Sequence, residues 1–150
     1  MIRTSLLAGF ATLALLSAPA LAQNVSNVSN TAAGVGNVAT QNVTTMQRGG
    51  GLFGGPNVAN VANTAAGIGN TASQGVFVGQ RSGGLFPGGS MANVSNTAAG
   101  IGNTAAQGAT VLQRSGRPGV AFGAPNLANV SNLSAGIGNF AGQGALVRQR

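Results

Sequence analysis

The sequence predicts an all-β fold in which four strand-arch-strand repeats stack as a β-solenoid with cross-β, amyloid-like geometry. Three observations carry this prediction. An eight-residue segment recurs four times, each copy contains two glycines that permit a chain reversal, and each copy precedes a run in which every second residue keeps its character. Internal periods of about 20–50 residues are typical of solenoids, and a side-chain period of two is typical of strands.

The recurring segment defines the units. It reads NTAAGVGN at 30–37, NTAAGIGN at 63–70 and again at 96–103, and NLSAGIGN at 132–139, so that the spacings are 33, 33 and 36 residues. We therefore predict four repeats that fill the chain after its amino-terminal segment, with no second domain. Their predicted ranges are 23–55, 56–89, 90–124 and 125–150.

Residues 1–22 are predicted to be a secretory signal peptide that is cleaved after Ala22. Arg3 supplies the positive charge, LLAGFATLALL at 6–16 the apolar stretch, and Ala20-Leu21-Ala22 the small-x-small cleavage motif. A retained anchor or a buried helix is the alternative, but the apolar stretch is too short to span a bilayer. After processing we expect no transmembrane segment, and the formal charge of +7 falls to +6 with the loss of Arg3.

Each repeat begins with a triplet-like lead, as in NVANVAN at 57–63, and the third repeat has Ser90-Met91 in place of the first Asn-Val. These triplets have no clean period of two, so we predict a first strand, from about Asn57 to Ala66 in the second repeat, without firm boundaries. Stretches rich in Gly and Pro, such as 49–56 and 82–89, separate the repeats and are predicted to be loops.

A Gly-x-Gly element follows the first strand and is predicted to form an arch that leads into a second strand, Asn70 to Gln80 in the second repeat. A helix through the Ala-rich NTAAG stretch is the alternative, but each glycine costs about 1 kcal/mol relative to alanine inside a helix. The predicted arch glycines are Gly34, Gly36, Gly67, Gly69, Gly100, Gly102, Gly136 and Gly138.

The second strand keeps Asn, Ala and Gln at alternate positions in all four repeats. Parallel stacking in register would place identical side chains about 4.8 Å apart, where each amide carbonyl can accept a hydrogen bond from the amide of the next repeat. We expect two columns of apolar side chains to pack against each other between the turns and exclude water: Val35/Ile68/Ile101/Ile137 and Val43/Val76. The predicted stacking ladder comprises Asn37, Ala39, Gln41, Asn70, Ala72, Gln74, Asn103, Ala105, Gln107, Asn139, Ala141 and Gln143.

The composition argues against an enzyme. The chain contains 7 Lys+Arg, all of them Arg, and no Asp, Glu, His or Cys. Acid–base catalysis, metal ligation and activated nucleophiles depend on these missing side chains, because a hydroxyl without a neighbouring base is a poor nucleophile. We expect no catalytic residue, no metal site and no cofactor.

The arginines fall near the ends of the repeats, at Arg48, Arg81, Arg114, Arg148 and Arg150. We expect them to be exposed at the strand ends, because no acidic residue can pair with them. One interpretation is that they limit aggregation before export. Another is that they bind an anionic partner such as an acidic polysaccharide. Specific nucleic-acid binding is disfavoured, because aromatic residues make up only 4% of the chain.

The sequence provides no atypical capping repeat after the fourth unit or before the first, and uncapped stacks have open strand edges. Open edges on a repeating stack predict polymerisation with other copies of the chain. The alternative is a monomeric, surface-anchored β-solenoid that binds anionic polymers through its arginines.

The repeats resemble those of secreted bacterial amyloid fibre subunits of the curlin and Fap types. The curlin-like pattern Gly-x-x-Asn-x-Ala starts at Gly34, Gly67, Gly100 and Gly136, and the Fap-like pattern Asn-x-Ala-Ala-Gly-x-x-Asn occurs in three repeats, with Ser134 altering the fourth. The curlin pattern places its closing Gln six residues after the Asn, whereas this chain has Gln four and ten residues after it.

The resemblance implies a subunit that passes through an outer-membrane pore and assembles outside the cell into β-rich fibres. Such fibres serve surface attachment, cell aggregation or biofilm matrix, and a minor nucleating subunit can start them. The resemblance therefore implies a secreted protein, located outside the cell or at its surface, whose main partner is itself.

Overall fold

The structure is a computed structural model that describes residues 24–49, 54–86, 88–116 and 122–150. The predicted signal peptide, its cleavage site after Ala22 and Arg117 lie outside the described residues. All four predicted repeats contribute described strands.

The described chain consists of eight strands in two parallel sheets, and it contains no helix. Each repeat contributes one strand to each sheet, in the orders β1-β3-β5-β7 and β2-β4-β6-β8. This arrangement confirms the predicted all-β solenoid of four stacked turns. The strands are β1 (Asn24–Ala32), β2 (Val38–Arg48), β3 (Asn57–Ile68), β4 (Thr71–Ser82), β5 (Ser90–Ile101), β6 (Thr104–Ser115), β7 (Asn126–Ile137) and β8 (Phe140–Gln149).

The strand pairs follow the sequence repeat without a slip. Asn24 pairs with Asn57, Gln41 with Gln74, and Gln107 with Gln143, so the 36-residue spacing of the last repeat is absorbed outside the strands. In the second repeat the first strand ends at Ile68, two residues later than predicted, and the second extends to Ser82. The helix alternative for the NTAAG stretch is wrong, because the stretch is strand in repeats 2 to 4 and is strand up to Ala32 in repeat 1, with no helix in the described residues.

The core lies between the two sheets and consists of small side chains. In β3 and β4 every second residue is buried, and the buried set includes Ala59, Val61, Val76 and Val78. The first strands of repeats 2 to 4 also bury every second residue over most of their length, although their sequence period is three, whereas all of β1 is exposed. Successive triplets therefore place their asparagines on opposite faces: Asn57 and Asn63 point inward, whereas Asn60 points outward.

One predicted apolar column is not part of the core. Val35, Ile68, Ile101 and Ile137 lie at the tip of the arch, where Ile68 is 54% exposed and Ile137 is 77% exposed. Each of these residues stands between two glycines with positive φ, so the chain direction changes at this position and the side chain leaves the inward-facing set. Val76, from the other predicted column, is buried, and Val43 packs partly buried against the core.

The first glycine of each arch permits close stacking of the turns. Gly67 has a φ of 95°, and a Cβ at this position would overlap the carbonyl oxygen of Gly100 in the next turn. Gly100 faces Gly136 in the same way, whereas Gly136 has no further turn against it. All eight predicted arch glycines have positive φ.

Candidate functional site: the two open ends of the stack

The stack has two exposed ends. We call the exposed edges of β1 and β2 the amino-terminal end and those of β7 and β8 the carboxy-terminal end. No residue of β1, β2 or β8 is buried, whereas every second residue of β3 to β6 is buried over most of their length. The four repeats thus form two inner rungs, repeats 2 and 3, and two outer rungs, repeats 1 and 4.

Glutamine side chains form two continuous hydrogen-bonded ladders through the stack. In the first, Gln41 Nε2 donates to Gln74 Oε1 at 2.8 Å, Gln74 to Gln107 at 2.6 Å, and Gln107 to Gln143 at 2.9 Å. Every bond runs in one direction, from the amide of one rung to the carbonyl of the next. Gln74 and Gln107 are buried, and the ladder satisfies both of their polar ends.

The second ladder has the same direction. Gln47 donates to Gln80 at 2.7 Å, Gln80 to Gln113 at 2.9 Å, and Gln113 to Gln149 at 2.7 Å. Gln80 Nε2 also reaches the Val58 carbonyl oxygen, at 2.9 Å, in the first strand of its repeat. These glutamines therefore link the turns to each other and also link the two sheets.

The arch asparagines form the predicted amide-to-amide bond between the first two turns, where Asn70 Nδ2 donates to Asn37 Oδ1 at 3.2 Å. Their other hydrogen bonds involve backbone groups. The side-chain carbonyl of Asn37 accepts the backbone N–H of Asn70 at 2.8 Å, and Asn103 and Asn139 continue this pattern at the same distance. Their Nδ2 groups donate to glycine carbonyls of the next turn, as Asn70 does to Gly100 at 2.7 Å. Because these residues lie outside the strands, their side chains supply the acceptor that a strand partner would otherwise provide.

A third set of asparagines, in the first strands, was not predicted as part of the site. Asn63 Nδ2 donates across the core to the Thr40 carbonyl oxygen at 2.6 Å, and Asn96 donates to Ser73 at 3.1 Å. Their Oδ1 atoms are buried without a hydrogen-bond partner. The sequence does show an Asn six residues after the first residue of each lead, as at Asn57 and Asn63. The period of three in the lead, however, does not indicate which of its asparagines point inward.

The alanines of the predicted ladder line the core beside these amides. Ala72 and Ala105 are fully buried, whereas Ala39 and Ala141 in the outer rungs are half-buried. The carbonyl oxygens of Ala72 and Ala105 accept longer bonds from Asn63 and Asn96, both at 3.4 Å. The predicted Asn, Ala and Gln positions thus stack as columns in register.

The hydrogen bonds leave complementary groups at the two ends. In the described structure, no hydrogen-bond partner lies at Gln143 Nε2 or at Asn139 Oδ1 of the carboxy-terminal end. At the amino-terminal end, the same holds for Gln41 Oε1 and the backbone N–H of Asn37. Gln143 offers the donor that Gln41 lacks, and Asn139 offers the acceptor that Asn37 lacks. One end of the stack therefore has the groups that the other end needs.

The arginines lie outside the core, at or near the carboxyl ends of strands β2, β4, β6 and β8. Arg48 pairs in register with Arg81, and Arg81 with Arg114. All of these, together with Arg148 and Arg150, are exposed, and they border a groove of about 560 Å³ that also contains Phe77 and Leu112. We call these five arginines the Arg column; Arg48, Arg81 and Arg114 share one register position, whereas Arg148 pairs with Leu112.

Comparison of the chain with protein-family models, curated proteins and solved structures found no match. Within the described ranges, no helix is long and apolar enough to cross a membrane.

Proposed function

We propose that this chain is the subunit of an extracellular, self-assembling amyloid-like fibre that serves surface attachment, cell aggregation or biofilm matrix. The observation that carries the proposal is the complementarity of the two open ends. The carboxy-terminal end of one copy matches the amino-terminal end of the next in strand edge, register and hydrogen-bonding groups.

Assembly through these ends uses a heterologous contact, in which one surface of the subunit binds a different surface of its neighbour. Such contacts continue indefinitely unless a rotation closes them into a ring. Each added copy forms two new parallel strand pairs, β7 with β1 and β8 with β2 of the next copy. It also extends both glutamine ladders by one hydrogen bond each.

Burial adds a driving force to these hydrogen bonds. Val28 is 49% exposed at the amino-terminal end, while its register partner Val61 is 2% exposed. Apolar surface removed from water contributes about 25 cal/mol for each Å². When a copy is added, the last rung of one copy and the first rung of the next become inner rungs. Their core-facing side chains are then buried as those of the inner rungs already are.

The proposal includes secretion after cleavage at Ala22, passage through an outer-membrane pore and growth from a minor nucleating subunit. The sequence supports the first through the signal-like residues 1–22. The resemblance to curlin-type and Fap-type repeats supports the other two.

The decisive experiment removes the complementarity of the ends without disturbing the subunit. In Gln143→Glu, the carboxylate still accepts the bond from Gln107 Nε2, but it can no longer donate to Gln41 of the next copy. We expect the purified chain to form thioflavin-positive fibres with a reflection near 4.8 Å, and the variant to elongate at least about tenfold more slowly, because an unmatched buried acceptor costs about 1–3 kcal/mol.

Asn129→Asp is the matched control. It adds the same charge in the same repeat, but Asn129 is exposed and points away from the core. We expect this variant to form fibres at the normal rate. Failure of the unmodified chain to form fibres, or equal elongation of Gln143→Glu and Asn129→Asp, would contradict the proposal.

A further inference from the structure

The Arg column is a straight row of positive charge with no acidic partner. Arg48, Arg81 and Arg114 occupy one register position in three successive turns, and Arg150 follows Gln149 at the corresponding place in the fourth. Since the sequence contains no Asp or Glu, no other side chain of the chain can neutralise them. A row of exposed guanidinium groups favours a multivalent anionic partner.

The spacing of the arginines limits which anionic polymers can bind along the row. Neighbouring parallel strands lie about 4.8 Å apart, so the row advances by that distance with each turn. One sugar residue of an extended polysaccharide has about the length of this step. Each strand of double-stranded DNA instead has a phosphate about every 3.4 Å along the helix axis and winds away from a straight row.

The groove beside the row has an apolar floor. The Phe77 ring and a Leu112 methyl group lie above Gly79, close enough that a Cβ on Gly79 would touch both. An apolar floor flanked by guanidinium groups suits a sugar ring, which presents C–H groups on its faces and a carboxylate at its edge. Single-stranded nucleic acids use a series of aromatic platforms, whereas Phe77 is the one aromatic side chain that lines this groove.

We propose that the Arg column binds a linear acidic polysaccharide with one carboxylate per sugar residue, laid parallel to the stacking axis so that the carboxylates on the side facing the column contact its guanidinium groups. Each guanidinium offers two parallel N–H donors to a carboxylate. Repetition along the row makes the binding multivalent. The inference goes beyond fibre formation, because four turns of a single copy already contain the row.

The test measures binding of polygalacturonate to the soluble chain in about 0.15 M salt, where weak surface charge effects are partly screened. Arg81→Ala with Arg114→Ala is expected to weaken binding by about tenfold or more, because the centre of the row is lost. Arg81→Lys with Arg114→Lys keeps the charge but loses the paired donors, and is expected to weaken binding by about threefold.

Three controls decide the outcome. Arg117→Ala removes one charge from a residue that is not a member of the Arg column, and it is expected to bind as the unmodified chain does, whereas Arg81→Ala alone binds more weakly. Methyl-esterified polygalacturonate, which lacks the charge, and a DNA duplex of equal total charge are expected to bind at least about tenfold more weakly.

Equal loss in Arg117→Ala and Arg81→Ala, equal binding of the neutral ester, or equal or tighter binding of DNA would overturn the inference. Far-ultraviolet circular dichroism verifies that each variant retains its strands. Repeating the measurement in the Gln143→Glu background separates this inference from the proposed function, because that variant retains the Arg column whether or not the chain elongates.

Discussion

The inner and outer rungs of the stack share one sequence pattern but differ in their environment. Asn70 and Asn103 in the inner rungs are fully buried, whereas Asn139, at the same place in the last repeat, is exposed. Gln74 and Gln107 are buried, whereas Gln143 is exposed. The difference shows that these amides are buried only where a turn stacks on both sides of them, as expected for a stack of repeats. In β7, which has a neighbour on one side, Ala128 and Val130 are nevertheless buried.

The largest expected effect comes from charges placed in an inner rung. Asn70→Asp with Gln74→Glu buries two carboxylates with no cation nearby, and an uncompensated buried charge costs about 3–5 kcal/mol. We expect this double variant to lose its cooperative β structure. The same change in an outer rung, Asn139→Asp with Gln143→Glu, is expected to cost about 1–2 kcal/mol in the single copy, because water reaches both groups.

Urea denaturation followed by circular dichroism measures both costs. Equal losses of unfolding free energy in the two double variants would remove the distinction between inner and outer rungs. Unchanged fibre formation by Asn70→Asp with Gln74→Glu would refute the role of the amide columns in stacking.

The arch glycines provide a second comparison with a smaller expected effect. Gly100→Ala places a methyl group against the Gly136 carbonyl oxygen of the next turn, in addition to the cost of a positive φ. We expect a loss of about 2–5 kcal/mol, from about 1–2 for the left-handed conformation and about 1–3 for overpacking. Gly136→Ala has no further turn above it and is expected to lose about 1–2 kcal/mol.

Denaturation of both alanine variants tests this difference, and fibre growth tests its consequence. In a fibre, Gly136 faces the next copy, so Gly136→Ala is expected to slow elongation although its subunit stays folded. Elongation at the normal rate would argue against stacking of the arches between copies.

A third comparison contrasts the core with the arch tip. Val78→Thr introduces a hydroxyl at a fully buried position and is expected to cost about 1–3 kcal/mol. In the first repeat the residue in register with Val78 is Thr45, whose hydroxyl is 3.1 Å from that of Ser26. Ala59 is in register with Ser26 and has no hydroxyl, so a threonine at position 78 would lack this partner.

Ile68→Thr changes a residue of the arch tip that is 54% exposed and is expected to stay within about 0.5 kcal/mol of the unmodified chain. Thermal or urea denaturation of the two threonine variants checks the exposed position of Ile68. A loss at Ile68 as large as that at Val78 would contradict it.

The smallest expected effect on stability is that of pH, and it is the same for the inner and the outer rungs. The sequence has no Asp, Glu, His, Cys, Tyr or Lys, so no side chain titrates between about pH 5 and pH 7. Folding stability then has no proton-linked slope in this window. We expect the free energy of unfolding and the elongation rate to stay constant from pH 5 to pH 7, as measured at constant salt. A change of more than about 0.5 kcal/mol across this window would contradict the prediction.

Several features of the fold were predictable because they depend on residue identity at fixed spacing. The period of 33 residues determines the register, the alternation after Asn70 determines which residues of the second strand point inward, and the paired glycines determine the arch. Three features were not predictable in this way. The triplet period of three concealed the alternation of the first strand, the arch asparagines bond to backbone groups, and Ile68 leaves the core because of the backbone direction at the arch tip.

The sequence by itself determined the repeat, the register, the amide columns and the absence of Asp, Glu, His and Cys, because each is a property of residue type and spacing. Only the tertiary structure decided which copies of a column are buried and in which direction its hydrogen bonds run. Burial of the arch and second-strand amides depends on having a neighbour on both sides, and a direction exists only once an amide of one turn meets a carbonyl of the next. For the same reason, the ends of the stack are complementary although all four repeats carry nearly the same residues.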